Sequence, residues 1–230
     1  MSGAAELLLI LVVLASFAVL GTARLSTCVR AVAAQGVLLG LTPLVLFPGW
    51  SAHRVVLSVG TIVIKGFVVP RFLLWAMREA AVRREVEPRI GYVTSLLLGT
   101  AVLAIVFGVS QRAAPLVPGG GLLVAVAVTT LIHGLFVLTA RRKAVSQVVG
   151  YIMMENGIYL FGLTQAERVP FLVELGVLLD VFVGVFIMGI VVFHINREFD
   201  SIDAAPRKAS RQLTKARPPR GFSRCRYPTA

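Results

Sequence analysis

Apolar runs of about twenty residues recur seven times in this 230-residue chain, and they decide what it can fold into. A run of that length matches an α-helix crossing about 30 Å of hydrocarbon. Inside lipid no water satisfies the peptide groups, so each run must pair its own, and a helix does so. The runs extend approximately from Ala4 to Thr22, Ser26 to Phe47, Val55 to Met77, Tyr92 to Ser110, Gly121 to Ala140, Val145 to Leu163 and Phe171 to His194. The expected fold class is all-α, a polytopic membrane helical bundle with about seven transmembrane helices. Composition agrees: 57% of the residues are hydrophobic and 15% are charged, against roughly a quarter charged in soluble domains.

Charge orients the runs. Arg24 and Arg30 lie in the first connection. Arg71, Arg78, Arg83, Arg84 and Arg89 lie in or beside the third, and Arg141, Arg142 and Lys143 in the fifth. Nine more basic residues follow from Arg197 onward. The opposite connections hold Arg54, Arg112 and Arg168. The positive-inside rule then places the N-terminus outside and the C-terminus in the cytoplasm. Glu6 precedes the first run and Arg24 follows it, the reverse of a cleaved signal peptide, so a retained first span is expected. The location read from this pattern is the inner (cytoplasmic) membrane, multi-pass.

Three regions follow. Residues 1–90 carry the first three spans and a basic cytoplasmic loop, 91–200 the last four spans, and 201–230 a basic tail. The tail is rich in Pro, Arg and Lys and reads as disordered or loosely held on anionic headgroups. Nucleic acid is not an expected partner, because the basic residues sit in loops and tail. Cys28 and Cys225 lie far apart and no metal-ligand spacing is present, so neither a metal nor a cofactor is expected. At an offset of 119, Arg24 falls on Lys143, and Arg78-Glu79 on Arg197-Glu198. Such an echo fits a parallel internal repeat of the kind known in transporters.

The chemistry-bearing residues are those the apolar runs should exclude. An ionisable group at mid-bilayer costs roughly 2.5–3.5 kcal/mol on insertion scales and usually faces protein or water. Glu155, Lys65 and Gln35 fall near the centres of their runs, His133 just past centre, and Asp180 slightly outward of it. Gln147, Tyr151, Glu155 and Tyr159 recur every four residues, one polar stripe on a helix. Gly176, Asp180 and Gly184 share a face in the same way, and glycines beside an acid admit a close neighbour. Glu155, Asp180, Lys65 and His133 are therefore candidates for a proton relay. Glu174, Gln147, Tyr151, Asn156 and Gln35 are candidates to support it. No residue reads as catalytic. Whether Lys65 pairs with Glu155 or Asp180 stays open, and such a pair could equally hold helices in register. His133, alone on an apolar helix, reads first as a hydrogen-bonded packing residue.

The stretch from Arg142 to Gly157, Arg-Lys-Ala-Val-Ser-Gln-Val-Val-Gly-Tyr-Ile-Met-Met-Glu-Asn-Gly, resembles hydrogenase-4 component E. So do Glu-Leu-Gly-Val-Leu-Leu-Asp-Val-Phe-Val-Gly, from Glu174 to Gly184, and Ile-Asn-Arg-Glu-Phe-Asp-Ser-Ile, from Ile195 to Ile202. That family belongs to the membrane arm of energy-converting nickel–iron hydrogenases and formate hydrogenlyase-type complexes. From about residue 120 the chain also looks like the K-type subunit of NADH:quinone oxidoreductase, whose second and third helices carry acids. Glu155 matches the first acid, and Asp180 with Gly184 the second. The sequence departs from that pattern: Asp replaces Glu, Asn156 adjoins the first acid, and four spans precede. The resemblance implies a membrane-arm subunit without a redox centre of its own. Its partners would be antiporter-like subunits and, through the complex, chains carrying the nickel site and iron–sulfur clusters. Contribution to proton translocation and assembly is the expected function. The alternatives are an independent proton-coupled secondary transporter and a purely structural subunit.

Overall fold

A computed structural model describes residues 3–46, 49, 52–79, 90–113, 121–141 and 143–165, together with Phe182 and Gly189. The chain divides into two units, Met1–Val191 and Val192–Ala230, and every described residue belongs to the first. The described segments are helical. In order they are α1 (Gly3–Gly21), α2 (Leu25–Leu46), α3 (Ala52–Thr61), a π-helical stretch (Ile62–Val68), α4 (Val69–Glu79), α5 (Tyr92–Ala113), α6 (Gly121–Ala140) and α7 (Ala144–Thr164). From α3 to α4 the helix is uninterrupted and forms one rod.

Among the described residues five segments are long and apolar enough to cross a membrane: Gly3–Gly21, Leu25–Leu46, Arg54–Trp75, Tyr92–Arg112 and Gly121–Ala140. They correspond to the first five expected spans. The sixth, α7, has the length, but Ser146, Gln147, Glu155 and Asn156 dilute its apolar content. The expected seventh span, with Asp180 and Glu174, lies outside the described residues, as does the basic tail.

The bundle is turned inside out relative to a soluble protein. Leu7, Ile10 and Leu14 on α1, Val56, Val63 and Phe67 on the rod, and Val93, Leu97 and Ile105 on α5 are exposed. Ser16, Gln35, Lys65, His133 and Glu155 are buried. Hydrocarbon outside and polar groups inside is the arrangement a lipid solvent selects. An apolar cluster of Leu9, Val12, Leu39, Leu123, Val126, Ala127, Tyr159, Leu160 and Leu163 joins α1, α2, α6 and α7.

Short connections make antiparallel hairpins of α1 with α2 and of α6 with α7. The second pair packs backbone against backbone. A Cβ on Gly134 would run into the Met154 backbone, one on Gly150 into Leu138, and one on Gly157 into Leu131. Three glycines thus form the seam that small residues provide in lipid, where no hydrophobic force drives helices together. On the other side α2 touches α1, α3, the π-helical stretch, α4 and α7.

The π-helical stretch accommodates Pro70. Pro70 has no N–H to offer the Gly66 carbonyl, and in a regular α-helix its ring would clash there. The turn widens instead, and the Val69 N–H bonds to the Ile64 carbonyl five residues back. Inserted turns of this kind are one recognised way a helix absorbs such a defect. Lys65 lies in the widened turn.

Candidate functional site: a buried ion pair between the α3–α4 rod and α7

Lys65 and Glu155 meet. The Lys65 Nζ lies 2.6 Å from Glu155 Oε1, with side-chain exposures of 2% and 1%. The two residues are 90 positions apart in sequence. Each residue sits at the middle of its helical segment, Lys65 within Arg54–Trp75 and Glu155 within Ala144–Thr164. The Tyr159 ring, one turn beyond Glu155, lies 5.7 Å from the Lys65 ammonium at its centroid. A cation over an aromatic face gains further electrostatic attraction. The polar stripe on α7 therefore presents Glu155 and Tyr159 to one cation.

Beside the pair runs a second set of buried hydrogen bonds. Gln35 Nε2 donates to the Val12 carbonyl at 3.0 Å and to Ser16 Oγ at 2.8 Å. Ser16 Oγ donates to the Val12 carbonyl at 3.1 Å. Gln35 Oε1 accepts from Asn156 Nδ2 at 3.4 Å. Both hydrogens of the Gln35 amide are used and its oxygen faces Asn156, the residue after Glu155. Buried amides cost little only when satisfied in this way. Ser16 was not among the residues singled out from sequence, although a lone hydroxyl in a leucine- and valine-rich span is a readable signal.

Glycine opens the approach between α2 and the rod. A Cβ on Gly36 would lie 2.6 Å from the Lys65 carbonyl carbon, and one on Gly40 would strike Ile62. Gly36-Val-Leu-Leu-Gly40 is a small-xxx-small seam, also legible in the sequence.

His133 belongs elsewhere. Its Nε2 lies 3.1 Å from the Gly99 carbonyl on α5, and its ring stands edge-on to Phe17 at 5.2 Å. A lone histidine packed in an apolar helix needs one such hydrogen-bond partner. Gln147, on the α7 stripe, donates to the Arg141 carbonyl at 3.2 Å, away from the pair. Tyr151 is part-buried on the same helix. Arg141, read from sequence as a loop charge, is buried. Its Nη2 donates to the Leu20 carbonyl at 3.3 Å, and its guanidinium lies 5.3 Å from the Tyr92 ring centroid. A cation on carbonyls at a helix C-terminus complements the dipole there. Among the described residues no three His, Cys, Asp or Glu side chains converge as metal ligands would.

These features define a polytopic helical membrane protein with a buried lysine–glutamate pair in its interior. No protein-family model matches the chain, and no solved structure does. Curated proteins do. The uncharacterized protein Rv0085 of Mycobacterium tuberculosis is 34% identical over 195 residues, covering 83% of this chain and 88% of that protein. The chain belongs to the family of that mycobacterial protein. Hydrogenase-4 component E of Escherichia coli K12 is 29% identical over 147 residues, covering 64% of this chain and 68% of its own length, and that of Shigella flexneri matches to the same extent. The aligned similarity supports the resemblance read from the motifs as a distant one.

Proposed function

We propose that the chain is a membrane subunit of a hydrogenase-4-like energy-converting complex, and that its Lys65–Glu155 pair takes part in proton translocation. The observation carrying this reading is the pair itself, two opposite charges 2.6 Å apart and almost fully buried at mid-span. A carboxylate left alone in such surroundings is costly. Separation of the pair and protonation of Glu155 therefore go together, which is the coupling an acid relay needs. The similarity to hydrogenase-4 component E supports membership of a multi-subunit complex.

Within this reading the chain has seven spans, its N-terminus outside and its C-terminus cytoplasmic, in the inner membrane. The K-type-like part begins near residue 120. Asp180 carries the proton onward from Glu155, with Glu174 outward of it and His133 as a further candidate. Tyr151 and Gln147 support the stripe. The subunit has no redox centre of its own. Antiporter-like subunits adjoin it, and nickel–iron and iron–sulfur chains join through the complex.

The test is proton translocation by the assembled complex bearing Glu155→Gln. Loss of translocation at unchanged subunit stoichiometry is expected, and full retention would remove the relay role. One observation favours a second, structural reading. The pair is flanked by the Gly36–Gly40 seam and the Gln35 hydrogen bonds, which are devices for holding helices together. On that reading Glu155→Gln lowers the yield of complex, while the complex that survives translocates normally. Uptake of a solute by the purified chain alone in liposomes would point instead to an independent transporter.

A further inference from the structure

We infer that the adjacent residues Gln35 and Gly36 of α2 are the positioning element of the ion pair, gripping its two halves separately and setting the distance between them. The role in proton handling rests on the reading above; the geometry does not.

Lys65 and Glu155 stand on different helices, and α2 touches both of those helices. Gly36 takes the cationic side. Its missing Cβ lets α2 lie against the Lys65 backbone, where an added methyl would come within 2.7 Å of the Lys65 carbonyl oxygen. Gln35 takes the anionic side. Its Oε1 accepts from Asn156, whose backbone is continuous with Glu155. Gln35 is itself held from behind, because its Nε2 is committed to Val12 and Ser16 on α1. Turned over, the amide would lose its bond to the Val12 carbonyl and set its NH2 group against Asn156 Nδ2, so the oxygen stays aimed at α7. Cation and anion are thus referred to neighbouring positions of one helix. Direct contact between the rod and α7 does not have to set the gap.

An amide suits this place for a chemical reason. It donates and accepts hydrogen bonds but neither gains nor loses a proton in the ordinary pH range, whereas an acid or histidine here would titrate against the pair. Gln35 fixes the geometry without competing for the proton.

The experiment measures the pair directly in the full-length chain in liposomes, with lysine labelled at 15Nζ and glutamate at 13Cδ. Solid-state 15N–13C dipolar dephasing reports the Lys65–Glu155 contact, assigned by its disappearance in Lys65→Met. Gln35→Met, similar in size but without hydrogen bonds, is expected to reduce that dephasing at least twofold, as is Gly36→Ala. Gln35→Asn, whose amide is one methylene shorter, is expected to fall between Gln35→Met and the wild type. Leu39→Ala, a core cavity on the same helix, is expected to leave it at the wild-type level. Wild-type dephasing in Gln35→Met overturns the inference; so does an equal loss in Leu39→Ala, which would make any weakening of α2 sufficient. If Gly36→Ala gives no folded protein, the Gln35 variants decide alone. Proton translocation is never read, so this result and that of Glu155→Gln can fail independently.

Discussion

At the scale of single residues, the weight falls on Lys65. Its ammonium has been taken out of water into the middle of the bundle, where desolvation costs several kcal/mol per ion and a well-placed counter-charge offsets it. Removing one partner should therefore hurt more than removing both. Lys65→Met is expected to cost about 3–5 kcal/mol, measured by thermal unfolding in detergent, because it strands Glu155. Lys65→Met combined with Glu155→Leu should recover most of that loss. An undiminished penalty in the double variant would show that the pair does more for the fold than neutralise its own charges. Each residue was conspicuous in the sequence as a charge in an apolar run. Their pairing was not, because two acids stood at suitable depth and no spacing relates positions 65 and 155.

Helical elements owe their arrangement to glycine and proline more than to polarity. Gly134, Gly150 and Gly157 allow α6 and α7 to touch along their backbones, whereas Gly60 and Gly108 have open space where a Cβ would go. Gly134→Ala and Gly157→Ala are expected to lose about 1–3 kcal/mol by overpacking. Gly60→Ala and Gly108→Ala should lose nothing, and the exchange to a better helix former can even stabilise them. Melting temperatures of the four variants separate the two classes, and equal behaviour would contradict the seam. Helix positions were legible from the length of the apolar runs, and α6 matches its expected limits of Gly121 and Ala140. The π-helical turn was not legible. Pro70 advertised a defect, but whether a helix answers by kinking or by widening depends on what packs against it, here Val37 on Gly66 and Gly36 on Lys65.

For the whole molecule, the proposed orientation rests on the distribution of Arg and Lys about the spans. A reporter active only in the cytoplasm is expected to work when fused within residues 80–89 or after Ala230, and to fail when fused at Gly49 or within 114–120. Activity at Gly49 would reverse the proposed orientation, and equal activity at all sites would break the span count. The sequence by itself determined the class of protein: apolar runs of membrane-spanning length must become helices, since no other local structure satisfies its own peptide groups in hydrocarbon. It also marked Glu155, Lys65 and Gln35 as the costly residues of the described spans. Only the tertiary structure decided which of them meet. It joined Lys65 to Glu155, tied Gln35 to Ser16 and Asn156, and sent His133 to the Gly99 carbonyl. Length and periodicity are properties of one helix. A contact between two helices depends on which glycines let them approach and on how each is rotated, and both are settled only when the bundle packs.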